Sequence, residues 1–234
     1  VPIAFAIDQL GPFKGRKFVL ALFALPLSLP AIIGVMALLS LFGRSGFLAG
    51  LTAKSDLDWT PDIYGLGGIL LAHVFFNMPL AVRLLINAIG QIPEAHWKLA
   101  ESLRFSVSDH FRLLFWPLTR QALPGIAGLI FTLCVTSFSI VLILGGGPSA
   151  TTIEVAVYQA LTYDFDLGLA AALTLLQLGV VILLLLLLNQ LRADPALPLA
   201  ATLRRRRYGR LPAVWKIPAA LLVGCAALFI AAPV

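Results

Sequence analysis

Few residues in this chain have the means to do chemistry, and most of those that do sit in one stretch. Between two apolar runs lie residues 92–124, IPEAHWKLAESLRFSVSDHFRLLFWPLTRQALP, where charge and helical spacing coincide. Pro93 suits the first turn of a helix, where its missing N–H costs nothing, and Glu94 favours the positive end of the helix dipole. Apolar Ala95, Leu99, Ala100 and Leu103 recur at helical spacing, with His96, Lys98, Glu101 and Arg104 mostly between them. Ser106 followed three residues later by Asp109 has the outline of a capping box, so a second short helix is expected from about Val107 until Pro117 stops it. The expected product is a helix, turn, helix unit on a membrane surface. On periodicity alone, the same pair also reads as a connecting loop lying in the interface.

The remaining polar candidates are sparse. His73 and Asn77, four residues apart, share one face of an apolar run, where a polar side chain must face protein or water; they suit a translocation path or a helix-packing hydrogen bond. Arg83 is placed to snorkel toward an interface. Residues 145–154, GGGPSATTIE, invite comparison with a phosphate-binding loop, but the Lys-Ser or Lys-Thr pair such a loop needs is absent. Gly145, Gly146 and Gly147 read as a tight turn, with Thr151 or Thr152 capping the helical stretch that follows. Tyr158, Tyr163 and Phe165 suit interfacial anchoring or the lining of a mouth. No catalytic set, metal-ligand spacing or cofactor motif is present in the sequence, and Cys134 and Cys225, both inside apolar runs, read as small core residues.

The elements that position these residues are membrane spans. Hydrophobic residues make up 60% of the chain, charged ones 12%, and the mean hydropathy is +0.96, far from a soluble domain. The net charge of +6 matches basic cytoplasmic loops and does not require nucleic acid. Residues 1–10 read as the end of an earlier span, and both ends of the chain look cut. Residues 18–42 carry no charge and would rise about 37 Å as a helix, bent at Pro26 and Pro30. Further spans are expected at 66–89, 121–144 and 167–191. With alternating passage, Lys14, Arg16, Lys17, Lys98, Arg104, Arg112, Arg120, Arg192 and the run Arg204 to Arg207 fall on one side, and Arg44 and Lys54 on the other. That asymmetry makes the 92–124 stretch cytoplasmic and the loops at 43–64 and 145–166 exterior. The expected organisation is a first transmembrane domain over 1–191, a basic cytoplasmic linker over 192–214, and the first span of a second domain over 215–234.

The 92–124 stretch resembles the cytoplasmic coupling loop of binding-protein-dependent ABC importer permeases, whose pattern is Glu-Ala-Ala, three residues, Gly, nine residues, Ile, one residue, Leu-Pro. It fits without a gap on Lys98, Leu99 and Ala100, then Arg104, Leu114, Trp116 and Pro117, with Ala100 and Pro117 unchanged. Arg104 replaces the glycine and enters a left-handed turn less cheaply. LLAHVFFNMPLAVRLL at 70–85 and LGGGPSATTIEVAVYQAL at 144–161 resemble the first half of the permeases of thiamine importers.

The resemblance implies an all-α, polytopic transmembrane helix bundle of the methionine-importer-like type in the bacterial inner membrane. It also implies a cytoplasmic ATPase dimer docked on Lys98, Leu99, Ala100, Arg104, Leu114, Trp116 and Pro117. A periplasmic solute-binding protein would meet Gly145, Gly146, Gly147, Glu154 and Tyr158, and a second permease half would follow in the same chain. The chain would then be a transport subunit and no enzyme. Ferric iron or another small solute remains an alternative cargo. An ion-coupled secondary transporter is the alternative class, against which spans 18–42, 121–144 and 167–191 offer no Asp, Glu, Lys, Arg or His. A membrane enzyme would need a clustered nucleophile, base or metal set.

Overall fold

The computed structural model describes residues 1–11, 13, 15–52, 63–145, 150–190 and 213–233, and among these the regular structure is all helical. In order the helices are α1 (Pro2–Leu10), α2 (Arg16–Leu22), α3 (Leu25–Ser28), α4 (Ala31–Phe42), α5 (Phe47–Thr52), α6 (Leu66–Ile89), α7 (Glu94–Ser102) and α8 (Val107–Asp109). After a π-helical segment, His110–Phe115, follow α9 (Trp116–Val135), α10 (Phe138–Leu144), α11 (Ile153–Thr162), α12 (Leu167–Gln190) and α13 (Ala213–Ala231). Among the described residues four stretches are long and apolar enough to cross a membrane: Ala31–Thr52, Leu66–Ile89, Val107–Val135 and Leu167–Gln190. The protein is a multi-pass membrane protein. Linker residues 192–212, with the arginine run, lie outside the described residues, as do Lys14, Lys54, Gly146 and Gly147.

α6 is the spine. It starts after Gly65, whose φ of 83° suits glycine, and whose N–H donates to the Leu144 carbonyl at 2.6 Å. Its first half buries Ile69, Ala72 and Phe75 in one apolar cluster with Val35 and Leu38 of α4, Ile140, Val141 and Leu144 of α10, and Val155 of α11. Its second half buries Val82, Leu85 and Ile89 in another, with Ala4 and Ile7 of α1, Phe115, Ile126 of α9, and Val223 and Ile230 of α13. One helix therefore carries both cores, and α13 packs into the second of them.

The run 18–42 is not one bent span. Pro30 disfavours the helical region for the residue before it, and Leu29 adopts φ −83°, ψ 136°, which separates α3 from α4; α2 ends earlier, at Phe23 and Ala24. The apolar stretch that results runs Ala31–Thr52 and takes in α5, part of the segment expected to be loop. The span expected over 121–144 is likewise divided, at Thr136 and Ser137, between α9 and α10.

Close packing of α6 depends on missing side chains. A Cβ on Gly34 would overlap the Phe76 ring, and one on Gly68 would overlap the Ile63 carbonyl, a backbone atom with no rotamer to escape into. Gly68→Ala is therefore expected to cost about 2 kcal/mol or more, read as a lower melting temperature of the detergent-purified full-length protein. Gly67→Ala, where a Cβ meets nothing within 4 Å, is the matched control and should leave it unchanged.

Candidate functional site

The sequence stretch 92–124 folds as a helix, a turn and a second helix. α7 starts after Pro93, which is its N-cap and not a residue of its first turn, and carries Glu94 in that turn, paired with Lys98 at 3.2 Å on an exposed surface where the pair adds little. It ends in a pair of backbone bonds, Arg104 N–H to the Glu101 carbonyl at 3.0 Å and Phe105 N–H to the Ala100 carbonyl at 3.0 Å. This is the Schellman arrangement, which needs a left-handed residue between helix and exit. Arg104 supplies it, with φ 51°. The position where the importer pattern carries glycine thus keeps the glycine conformation with an arginine in it.

The next helix starts with the capping box expected from sequence: Asp109 N–H donates to Ser106 Oγ at 3.2 Å and Ser106 N–H to Asp109 Oδ2 at 2.9 Å. Pro117 does not end it. Residues His110–Phe115 widen into a π-helix whose last bond, Trp116 N–H to the Phe111 carbonyl, closes one residue before the proline. α9 then begins at Trp116, so Pro117 falls in a first turn, where a missing N–H is tolerated. The wide turn brings Phe111 and Trp116, five residues apart, into stacking at 6.2 Å, while Phe5 of α1 meets Phe111 and Phe115 edge-on at 5.2 and 4.9 Å. Trp97 of α7 stacks on His110 at 6.2 Å.

The seven residues of the coupling pattern divide by exposure. Ala100 is completely buried within the unit, Leu114 and Pro117 are half-buried, and Lys98, Leu99, Arg104 and Trp116 are exposed. Leu99 and Leu103, one turn apart, are 56% and 60% exposed, an apolar face on an otherwise polar helix. Leu103 lies outside the pattern; its spacing from Leu99 marks it in the sequence.

His73 and Asn77 both turn toward the break between α9 and α10. His73 Nε2 lies 2.6 Å from Ser137 Oγ, which in turn donates to the Cys134 carbonyl at 2.6 Å, and Asn77 Nδ2 donates to Cys134 Sγ at 3.5 Å. They are joined to each other's surroundings by packing hydrogen bonds. Gly145 and Gly65 lie where α10 and α6 meet; Gly146 and Gly147 lie outside the described residues. Glu154 and Tyr158, one turn apart on α11, make separate contacts: Glu154 Oε2 accepts from Gln177 Nε2 at 2.6 Å, and the Tyr158 ring meets Phe138 at 5.0 Å. Sequence reasoning missed Ser137, Gln177 and Asp8, which is 5% exposed in α1. The signal for Gln177 was a lone amide in the middle of an apolar run.

No protein-family model matches the chain. It is 46% identical over all 234 residues to the thiamine transport system permease protein ThiP of Brucella abortus (strain 2308), covering 43% of that protein. It is 50% identical over 191 residues, 82% of the chain, to the ThiP of Escherichia coli (strain K12), covering 35% of that protein. The molybdenum transport system permease protein ModB of Azotobacter vinelandii is 34% identical over 137 residues, 58% of the chain and 60% of the relative. The chain thus spans less than half the length of the two ThiP proteins.

The left-handed arginine gives a direct expectation. Arg104→Gly should relieve up to about 1 kcal/mol of backbone strain and Arg104→Val should add at least as much. The readout is hydrogen exchange at the Phe105 amide, slower in the first variant and faster in the second.

Proposed function

The chain belongs to the binding-protein-dependent ABC importer permeases, and we propose that it forms the first half of a permease that moves thiamine inward, driven by a separate ATPase. The observation that carries this reading is the identity of 46% along the whole chain to a thiamine permease. The fold of residues 92–117 supports the mechanical part of it.

In this reading α7 is the docking element. Leu99 and Leu103 offer an apolar face at the cytoplasmic surface, flanked by Lys98 and Arg104, and an exposed apolar patch with a polar rim suits a protein partner. The partner is an ATPase dimer whose closure displaces α7. The Schellman turn, the capping box and the Trp97–His110 stack hold α7 to the π segment, and the Phe5, Phe111 and Phe115 rings hold that segment to α1. Movement of α7 is then passed to α9, α1 and, through Gly90, to α6. Rigid-body rocking of the helices against a second permease half switches access to the path. Ala100, with no exposed surface, acts as an internal spacer that lets α7 lie close. A periplasmic binding protein delivers the solute at the opposite face, near Gly145 and the α11–α12 connection.

Two substitutions test the reading in the full-length permease assembled with its ATPase and binding protein. Leu99→Asp places charge on the docking face without filling a buried site, and is expected to cut both binding-protein-stimulated ATP hydrolysis and thiamine uptake by about tenfold or more while membrane insertion stays normal. Ala100→Asp is expected to disrupt the unit itself. Full activity of Leu99→Asp would remove α7 as the docking element; absence of labelled thiamine uptake by the unmodified complex would remove the substrate.

A further inference from the structure

α11 does not lie flat outside the membrane. It forms a tight hairpin with α12, closed by Tyr163 N–H to the Gln159 carbonyl at 2.9 Å, Asp166 N–H to the Ala160 carbonyl at 2.9 Å, and Asp166 Oδ1 capping Leu169 N–H at 2.9 Å. The hairpin sends the N-terminal end of α11 back along α12, so that Glu154 meets Gln177. Gln177 is ten residues from the start of α12, about 15 Å along a helix about 36 Å long. Wherever a hydrocarbon slab about 30 Å thick is laid over that helix, Gln177 lies about 9 Å or more inside it. Glu154 is therefore a carboxylate within the membrane. The neighbouring α10 agrees: Phe138, which meets Tyr158, follows Ser137, the partner of His73 seven residues into α6.

A carboxylate at that depth must face protein or water. Among the described residues its side chain bonds to Gln177, an uncharged group, and the residue remains half-buried, not sealed. The sequence from Gln121 to Leu191 holds no Lys, Arg or His, so α10, α11 and α12 bring no cation, while α6, packed on α10, carries His73, bonded to Ser137, and Arg83 in its second half. Nearby, Thr152 Oγ1 is buried without a hydrogen-bond partner among the described residues, a polar atom of the kind that water or a ligand satisfies. The positive end of the α11 dipole favours an anion at Glu154, and its half charge does not cancel a full one. One turn on, Tyr158 tilts against Phe138 at 5.0 Å and meets Tyr163 at 6.2 Å, ring faces of the kind that attract a cation.

We propose that Glu154 and the Tyr158–Phe138 ring pair form a binding station on the translocation path for an aromatic organic cation. The carboxylate balances the charge, and the rings stack on the flat, apolar part of the ligand. This rests on the importer reading above, and thiamine is the probe. In proteoliposomes holding the full-length permease, its ATPase and its binding protein, Glu154→Gln keeps a hydrogen-bonding partner for Gln177. It is expected to lower thiamine uptake about tenfold in complexes that still co-purify with the ATPase. Glu154→Asp should recover part of the uptake, Tyr158→Phe nearly all, and Tyr158→Ala little. Uptake by Glu154→Gln within about twofold of the unmodified complex overturns the station.

Labelling decides the case independently, including where a variant fails to assemble. With every cysteine of the full-length permease, Cys134 and Cys225 among them, changed to Ala, Glu154→Cys should react with a membrane-impermeant, positively charged thiol reagent added from the exterior. No reaction in folded protein from either side overturns the proposal, because the position is then sealed or in lipid. An unmodified complex that takes up no thiamine refutes the cargo and leaves the labelling to judge the station.

Discussion

Hydrocarbon offers no partner for an unpaired backbone group, and that constraint decides where this protein can interrupt its helices. Two of the interruptions are accompanied by a side chain that adds a hydrogen bond at the break. At the break between α9 and α10, Ser137 Oγ donates to the Cys134 carbonyl and His73 reaches across from α6 to the same hydroxyl. At the break before Pro30, Ser28 Oγ donates to the Leu25 carbonyl at 2.8 Å. α6, by contrast, runs unbroken through Pro79. The outcome is one continuous strut with articulated helices around it, their joints pinned by the few polar residues the spans contain.

That arrangement suits a device that carries displacement from one side of a membrane to the other. At one end of α6, Gly65 is tied to Leu144; at the other the chain passes through Gly90 and Pro93 into α7. α7 returns by way of Arg104 and the π segment into α9, so both limbs of the helix, turn, helix unit are continuous with spans. The π segment gives this connection its stiffness: the i, i+5 stacking of Phe111 on Trp116 and the edge contacts of Phe5 are available because the turn is wide. The exposed apolar face of α7 lies beyond one end of that strut, and the polar station proposed around Glu154 lies beside its first half.

Much of this was legible in the sequence, and the exceptions have physical causes. The limits of α6 follow from a long apolar run, with Arg83 its one Lys, Arg, Asp or Glu, ended by Gly65 and Gly90, and the Ser106–Asp109 capping box from a local spacing, because both depend on neighbours in the chain. The π segment carries no compositional mark, so Pro117 reads as a stop when it is the first turn of the next helix. Arg104 illustrates a different gap. The glycine of the importer pattern points to a left-handed turn, and the two Schellman bonds hold that turn even when the residue disfavours it. The Glu154–Gln177 pair bridges 23 residues, and tertiary pairing of that kind leaves no periodic trace. Glu154 accordingly reads as part of an exterior loop until α11 is seen to fold back along α12.

The proposed coupling depends on the face of α7 bearing Leu99 and Leu103 meeting an ATPase. The most direct measurement is photocrosslinking from a benzoyl-phenylalanine placed at position 103 of the full-length permease, in membranes containing the assembled transporter. The account expects an adduct with the ATPase subunit, formed from the cytoplasmic side and altered by ATP. An adduct with lipid alone, or with a protein outside the cytoplasm, would contradict it.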